Sequence, residues 1–378
     1  MAIGQGIIDF LGYSIFRKSG NAQAPSNIKK ILVSRIDHFG DVFIASSILP
    51  HLKIAYPSAK IHFMAGEWAK SYLRSNPNID RVLIYNSIRH NRAKGLLKNA
   101  RTALSGFVGN VRKMRAEGYD LCIDLRAYPF NSIPLMYLGG GRCKVGFATG
   151  GWGFLLDKIV PYREGVHEIS HVNDTLKALG IFVPDKDIKP EFTPSKTALK
   201  ECSRILEGLG ITEGEQFVLI HTGCGNPKKQ WKKECWQELI DKLSGIYEIK
   251  VLVYDTEFGD LNGCIKLPSL ISFELFAAAA KRATLFIGLD SLPAHLAASF
   301  STPVVAVWCG INDSVQWRPV GRSVRVVKNE VDCSPCFRKN GCSSMECMEI
   351  RVDDCLKEAS RYLDFHKNSK VVRLKSKA

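Results

Sequence analysis

ILVSRIDHFGDVFIASSILP, residues 31–50, decides the fold. Residues 31–36 form a short β-branched run bounded by charge, the pattern of a buried strand. A polar loop ends at Gly40-Asp41, and Val42, Ile44, Ala45, Ile48, Leu49 and Leu52 then recur at helical spacing. Asp41 falls at the helix start, where backbone N–H groups lack intrahelical partners. In a parallel α/β sheet such loops lie at the carboxyl ends of strands, where ligands bind. Asp is a favoured N-cap, so the stretch alone leaves Asp41 open as a cap or a catalyst.

The same alternation continues outward. Strands are expected at 60–65, 81–85, 120–125 and 143–146, with a helical piece at 68–73 and a helix at 168–179 that stops at Gly180. The basic segment between the second and third of these strands reads as helix, loop and helix. Residues 183–195, VPDKDIKPEFTPS, carry three prolines and no periodicity, the mark of a domain linker. A second series follows, with strands at 217–221, 250–254, 284–288 and a last one at 303–308, and helices at 199–209, 233–243, 273–281 and 293–300. Strands alternating with helices argue a mostly parallel sheet in each half. The expected fold is α/β, two Rossmann-like domains facing each other across a cleft. The expected layout is an amphipathic segment and linker at 1–27, a first domain at 28–184, a linker at 185–196, a second domain at 197–365 and a basic tail at 366–378.

With 378 residues, the chain is long enough for about two cores. Its 46% hydrophobic and 24% charged residues are ordinary for a soluble globular protein. No apolar run approaches the roughly 20 residues needed to span a bilayer. The first sixteen residues carry neither a basic leader nor a small-residue cleavage site, so a cytoplasmic location is expected. Ile3, Ile7, Ile8, Leu11, Ile15 and Phe16 recur at helical spacing and are followed by Arg17-Lys18. That helix suits either a membrane surface or docking on the body of the protein.

The net charge of +15 is unevenly placed. No acid occurs between Asp80 and Glu117, while Arg81, Arg89, Arg92, Lys94, Lys98, Arg101, Arg112, Lys113 and Arg115 all do. Such a block attracts nucleic acid, anionic lipid or phosphorylated ligands, or is simply a solvated helix face. No nucleic-acid module is recognisable, and no nucleic-acid partner is expected.

Two more strand-to-helix loops resemble ligand sites. Residues 222–231, TGCGNPKKQW, place Gly223 and Gly225 where backbone can approach a ligand, with Lys228 and Lys229 supplying charge for a phosphate. The bland alternative is a surface turn with solvated lysines. Residues 288–295, GLDSLPAH, end a strand at Gly288, offer Asp290 or Ser291 as caps and put Pro293 in the first helical turn. His295 then lies close to any anion held there, or is a satisfied structural residue. Five of the twelve cysteines crowd between Cys333 and Cys355. Cys333, Cys336, Cys342 and Cys347 have the spacing C-x2-C-x5-C-x4-C, which admits a structural zinc, unliganded thiols or a disulfide.

From residue 28 to about 363 the chain resembles glycosyltransferase family 9, the ADP-heptose:lipopolysaccharide heptosyltransferases. Three blocks carry the resemblance: the strand–GDV–helix opening, IHTGCGNPKKQWKKECWQELI at 220–240, and LFIGLDSLPAHLAASFSTPVVAVWCGINDSVQWRPVG at 285–321. The resemblance implies a GT-B fold with an N-terminal acceptor domain and a C-terminal nucleotide-sugar domain. It implies inversion at the sugar carbon and no catalytic metal.

By resemblance Asp41 is the general base toward an acceptor hydroxyl, and Lys229 steadies the diphosphate leaving group. Asp290, Ser291 and His295 form the donor loop, Thr222 and Gly223 line the same pocket, and Glu257 meets the nucleotide ribose. Gly40, Arg89, Arg92 and Arg126 fall on the acceptor side. There the arginines are suited to the phosphates and acidic sugars of a lipid-linked glycan. The amphipathic start and basic tail would help hold the enzyme at the anionic inner face of the cytoplasmic membrane. One position departs from the family: Leu292 stands where glycine usually follows the Asp-Ser/Thr pair. It favours a rival reading with another nucleotide sugar or another surface glycan. A non-catalytic nucleotide-sugar-binding homologue is the non-enzyme rival.

Overall fold

The computed structural model describes residues 9, 11–15, 27–86, 96–127, 131–268, 271–338 and 341–375, and only the backbone of 96–103 and 364–375. The chain divides into two compact units, Met1–Pro190 and Glu191–Ala378.

The first unit holds a six-stranded parallel sheet of β1 (Lys30–Ser34), β2 (Lys60–Ala65), β3 (Arg81–Ile84), β4 (Leu121–Asp124), β5 (Cys143–Gly146) and β6 (Lys158–Ile159), in the order β3-β2-β1-β4-β5-β6. β1 is central because every residue after Lys30 is buried, as an apolar strand covered on both faces must be. Its register sets Ser34 beside both Met64 and Asp124, so β1 and β4 end level with each other. Strand order reverses between them, which makes their carboxyl ends the topological switch point.

The second unit repeats the plan with β7 (Phe217–His221), β8 (Lys250–Tyr254), β9 (Ile265–Lys266), β10 (Leu285–Leu289), β11 (Val304–Val307) and β12 (Val324–Val327), in the order β12-β11-β10-β7-β8-β9. Its switch point lies between β7 and β10, where His221 pairs with Gly288. Trp231 and Trp236, both fully buried, pack edge to face at 4.9 Å in the core beneath the β7 loop.

Several expectations need correction. The strand at 303–308 is not the last, because β12 adds an edge beyond it. The two-residue strands β6 and β9 are too short to leave a periodic signal. A 24-residue helix, Val352–Lys375, runs from the cysteine-rich segment into the expected tail. Of the basic segment expected as helix, loop and helix, the described residues form one helix, Leu96–Glu117, and residues 87–95 lie outside them. Its internal Gly106 and Gly109 cost about 1 kcal/mol each against alanine, and packing offsets that: Met114 is fully buried, and Asn110 Nδ2 donates to Ile84 O at 3.1 Å. Arg89 and Arg92 lie outside the described residues.

Residues 11–15 are helical, and the segment docks: Asp9 Oδ1 accepts the Trp152 N–H at 2.8 Å, and Tyr13 packs edge-on to Phe154 at 5.9 Å. Leu11 and Ile15 remain exposed. Among the described residues no helix is long and apolar enough to cross a membrane.

Candidate active site

Each unit gathers polar side chains at its switch point, and the two gatherings differ in character. In the first unit the loop after β1 enters the helix Phe39–Ala45 with His38, not Asp41, at the N-cap. Asp41 is the third helical residue, and its Oδ2 accepts the His38 N–H at 3.1 Å, the reciprocal half of a capping box. One oxygen of Asp41 therefore serves the helix end and the other remains for chemistry.

That second oxygen, Oδ1, faces a guanidinium shared among three carboxylates. Buried Arg35 donates through Nη1 to Glu168 Oε1 at 2.7 Å and to the Leu125 carbonyl. Its Nε lies 3.1 Å from Asp37 Oδ2, and its Nη2 stands 3.9 Å from Asp41 Oδ1, beyond hydrogen-bond range. Asp37 gains a second cation, the Arg126 Nε at 2.8 Å. Glu168 gains His171, whose Nδ1 lies 3.0 Å from Oε2, while His171 Nε2 reaches the Arg163 carbonyl at 2.9 Å. A carbonyl only accepts, so His171 donates there, and its second donor points at Glu168 when the ring is charged.

Asp41 is the least compensated of the three acids. Burial drives its carboxyl up to about 7, with Asp37 and Glu168 adding to the rise and Arg35 opposing it. Burial acts on Glu168 as well, but Arg35 and His171 overcome it and hold that carboxyl down at about 2. Asp124, at the end of β4, is pushed up to about 6 by burial despite the Arg126 charge and the Arg126 N–H that it accepts at 2.9 Å. Arg126 itself is 5% exposed and engaged by Asp37 and by Asn131 Oδ1 at 2.9 Å. Gly40, the second residue of the helix, borders open space: a Cβ there would meet nothing within 4 Å.

In the second unit the switch point carries a cation. Lys229 Nζ lies 2.6 Å from Asp290 Oδ2, and Asn312 Nδ2 donates to that same oxygen at 2.9 Å. The β7 loop is fastened to the β8 loop through Asp255. The Thr222 hydroxyl donates to Asp255 Oδ1 at 2.7 Å, and the N–H groups of Glu257 and Phe258 reach it at 3.0 Å each. Burial disfavours that charge, yet these bonds together hold the Asp255 carboxyl below its usual range. The loops are so close that a Cβ on Gly223 would fall 2.0 Å from Thr256 Oγ1 and 3.4 Å from Glu257 Oε1. A side chain there would require Thr256 or its loop to shift.

Ser291 is the N-cap of the helix Leu292–Ser299, but its hydroxyl turns back to Leu289 O at 3.3 Å. His295 is buried in the first turn. Leu292 lines an apolar pocket of about 170 Å³ with His221, Tyr254, Phe273, Phe276 and Leu296. Burial lowers the pKa of His221 to about 4, so its ring lines that pocket uncharged at neutral pH.

The zinc expectation does not hold among the described residues, where no group of three or more His, Cys, Asp or Glu side chains could hold a metal ion. Cys333, Cys336, Cys342 and Cys347 border one small cavity, but all twelve cysteines are free thiols. Cys347 turns inward to within 3.9 Å of Cys309, and Cys342 Sγ accepts the Met345 N–H at 3.4 Å. The sulfurs thus serve core and turn rather than a common centre.

Sequence reasoning singled out Asp41, Lys229 and Asp290, which the structure places in these two gatherings. It missed Asp37 and Arg35, which sit inside the opening stretch but read there as strand-end charges. It also missed Glu168, 133 residues from Arg35, and the acceptors and donors Asp255 and Asn312.

A family model described as glycosyltransferase family 9 (heptosyltransferase) matches residues 110–347. Lipopolysaccharide heptosyltransferase 3 of Escherichia coli is 27% identical over 298 residues, covering 74% of this chain and 83% of the relative. Among solved structures, a glycosyl transferase family 9 protein from Veillonella parvula superposes with a TM-score of 0.72 at 19% identity, over 91% of this chain and 99% of that one. The E. coli ADP-heptose lipopolysaccharide heptosyltransferase II gives 0.66 at 17% identity, over 89% and 99%. The two parallel sheets and these likenesses together define an α/β fold of the GT-B class.

Proposed function

The chain belongs to glycosyltransferase family 9, and from that premise we propose that it moves a heptose from ADP-heptose to an inner-core lipopolysaccharide acceptor, with inversion and without a catalytic metal. The observation that carries this reading is Asp41: a carboxylate anchored by one oxygen, weakly compensated at the other, and bordered by open space at Gly40. A base poised near working pH is what deprotonation of a hydroxyl requires.

In this mechanism the acceptor hydroxyl gives its proton to Asp41 as its oxygen attacks the anomeric carbon from the face opposite the nucleotide. The bond to the diphosphate breaks, and Lys229 exchanges Asp290 for the developing phosphate charge. Thr222, Gly223 and Glu257 lie where the β7 and β8 loops meet and are assigned to the donor, as are Ser291 and His295. The apolar pocket beside Leu292 takes the base. Gly40 and Arg126 are assigned to the acceptor side, Arg126 through its hold on Asp37. The acceptor is lipid-linked and acidic, so the enzyme works as a peripheral protein at the inner face of the cytoplasmic membrane. Exposed Arg112, Lys113 and Arg115 on the long helix of the first unit would favour an anionic surface.

The test is turnover of ADP-heptose with a heptose-deficient inner-core acceptor, read as ADP released and as mass gained by the glycan. ADP release without glycan gain removes the acceptor assignment. Leu292 favours a second reading, the same reaction with another nucleotide sugar, because its side chain narrows the pocket assigned to the base. A panel of nucleotide sugars in a thermal-shift assay separates the two, since the true donor raises the melting temperature most.

A further inference from the structure

Asp41 does not stand alone in its field. From its own loop it faces Arg35, Asp37 and His38, and from the helix Glu168–Ala178 it faces Glu168, with His171 behind. Arg126 reaches the group through Asp37, and Asp124 lies beneath it. The Glu67–Lys70 pair occupies the adjoining turn, whose Trp68 Nε1 donates to Asp37 O at 3.0 Å. Two acids in this group each have two cationic partners: Asp37 has Arg35 and Arg126, and Glu168 has Arg35 and His171. Asp41 has a distant share of Arg35 alone.

The asymmetry has a geometric cause. Arg35 Nη1 is held by Glu168 and the Leu125 carbonyl, and its Nε is turned to Asp37. Only Nη2 is turned toward Asp41, and it stops 3.9 Å short. Were Glu168 neutral, the guanidinium would lose the ionic partner of Nη1 and be drawn toward the remaining carboxylates, and Asp41, gaining a closer cation at Oδ1, would become a weaker base.

Resting on the reading of Asp41 as the general base, we propose that Glu168 is a positioning residue that withholds Arg35 from Asp41, and that His171 sets the strength of that hold through the charge it shares with Glu168. Neither residue touches substrate. Their effect reaches the reaction through the electrostatics of one carboxylate, and it therefore has a sign. Removing the Glu168 charge lowers the pH at which Asp41 ionises; removing the His171 charge leaves more net negative charge near Asp41 and raises it.

The experiment is the pH profile of kcat for the full chain and for Glu168→Gln, His171→Gln and Asp41→Asn, with the donor KM measured alongside. The expected result is an acidic limb displaced downward by about one pH unit in Glu168→Gln, with a plateau about tenfold lower because a weaker base remains. In His171→Gln the limb moves upward, and the donor KM is unchanged in both. Opposite displacements cannot arise from general loosening of the fold. A limb that stays in place in Glu168→Gln, or that stays or falls in His171→Gln, overturns the proposal. If Glu168→Gln does not fold, the His171 variant decides alone. An Asp41→Asn enzyme that still turns over defeats the base assignment itself, whereas an inactive Asp41→Asn beside unmoved limbs defeats only the role of Glu168.

Discussion

Lys229 and Asp290, which belong to two different loops of the second sheet, meet at 2.6 Å and are almost buried, at 13% and 8% side-chain exposure. In the proposed mechanism this lysine is the cation that turns from Asp290 to the phosphate of the donor. Its partner is held in turn by Asn312, so the carboxylate stays in place when the lysine leaves.

Lys229→Ala is expected to reduce turnover with the donor by about 10²–10³. It is also expected to lower stability by about 3 kcal/mol, because a buried carboxylate loses its cation and keeps only the Asn312 amide. Urea unfolding and ADP release measure the two effects separately. Unchanged donor kinetics in a folded variant would remove Lys229 from the leaving-group role.

Asp41→Asn is expected to abolish transfer while leaving donor binding intact, since the residues proposed to hold the donor belong to the second unit. Its effect on stability has a calculable sign. The folded carboxyl ionises near 7 and the unfolded one near 3.8, so the folded state holds the extra proton between these values and wild-type stability falls as pH rises through that window. The variant should therefore match the wild type below pH 4 and gain on it up to pH 7. Above that it should remain more stable by about 1–3 kcal/mol, a value discounted for the coupling among the acids. Melting curves across pH check this; a variant less stable than wild type at pH 8 contradicts the strained-carboxylate account.

Gly40→Ala separates the fold from the ligand. A methyl there meets nothing of the protein and sits in a helix, so stability should rise by about 0.5–1 kcal/mol. If the acceptor occupies the space above Gly40, its KM rises several-fold while the donor KM stays constant. An unchanged acceptor KM places the acceptor elsewhere.

Gly223→Ala is the opposite case. The new Cβ would overlap Thr256 Oγ1, so the Thr256 side chain or the loop must move, at a cost of about 1–3 kcal/mol. Thr256→Ala in the same chain should recover a large part of that loss. A double variant no better than Gly223→Ala alone shows that the backbone, not the hydroxyl, sets the limit.

The strands were legible because each central one is a short, mostly apolar run that neighbours on both faces must cover; residues 31–34 and 217–221 needed no tertiary information. The loops that follow them were legible for the same reason, since a strand that stops on a polar turn before a helix marks the ligand edge of a parallel sheet. The helix begins earlier than the sequence suggests, with His38 at its cap and Asp41 three residues further on, because His38 has no capping signature of its own. Glu168 was hidden for a deeper reason. Nothing local distinguishes it from any acid in a first helical turn, and its meaning arises only when the chain returns 133 residues later to Arg35. The cysteine spacing misled in the reverse direction: it fits a ligand set along the chain, but the turns around Met345 and Cys347 send the sulfurs different ways.

The indole of Trp231, at the end of the lysine-bearing loop, donates to the carbonyl of Ile350 at 3.0 Å, 119 residues further on. During synthesis the first unit is complete once residue 190 has emerged, and it is free to fold ahead of the rest. The loop bearing Lys229 emerges soon afterwards but lacks the partner that seats its tryptophan until Ile350 follows. A nascent chain thus gains its proposed acceptor site early and its nucleotide site last, so a ribosome-stalled fragment would lack a finished site for the activated sugar.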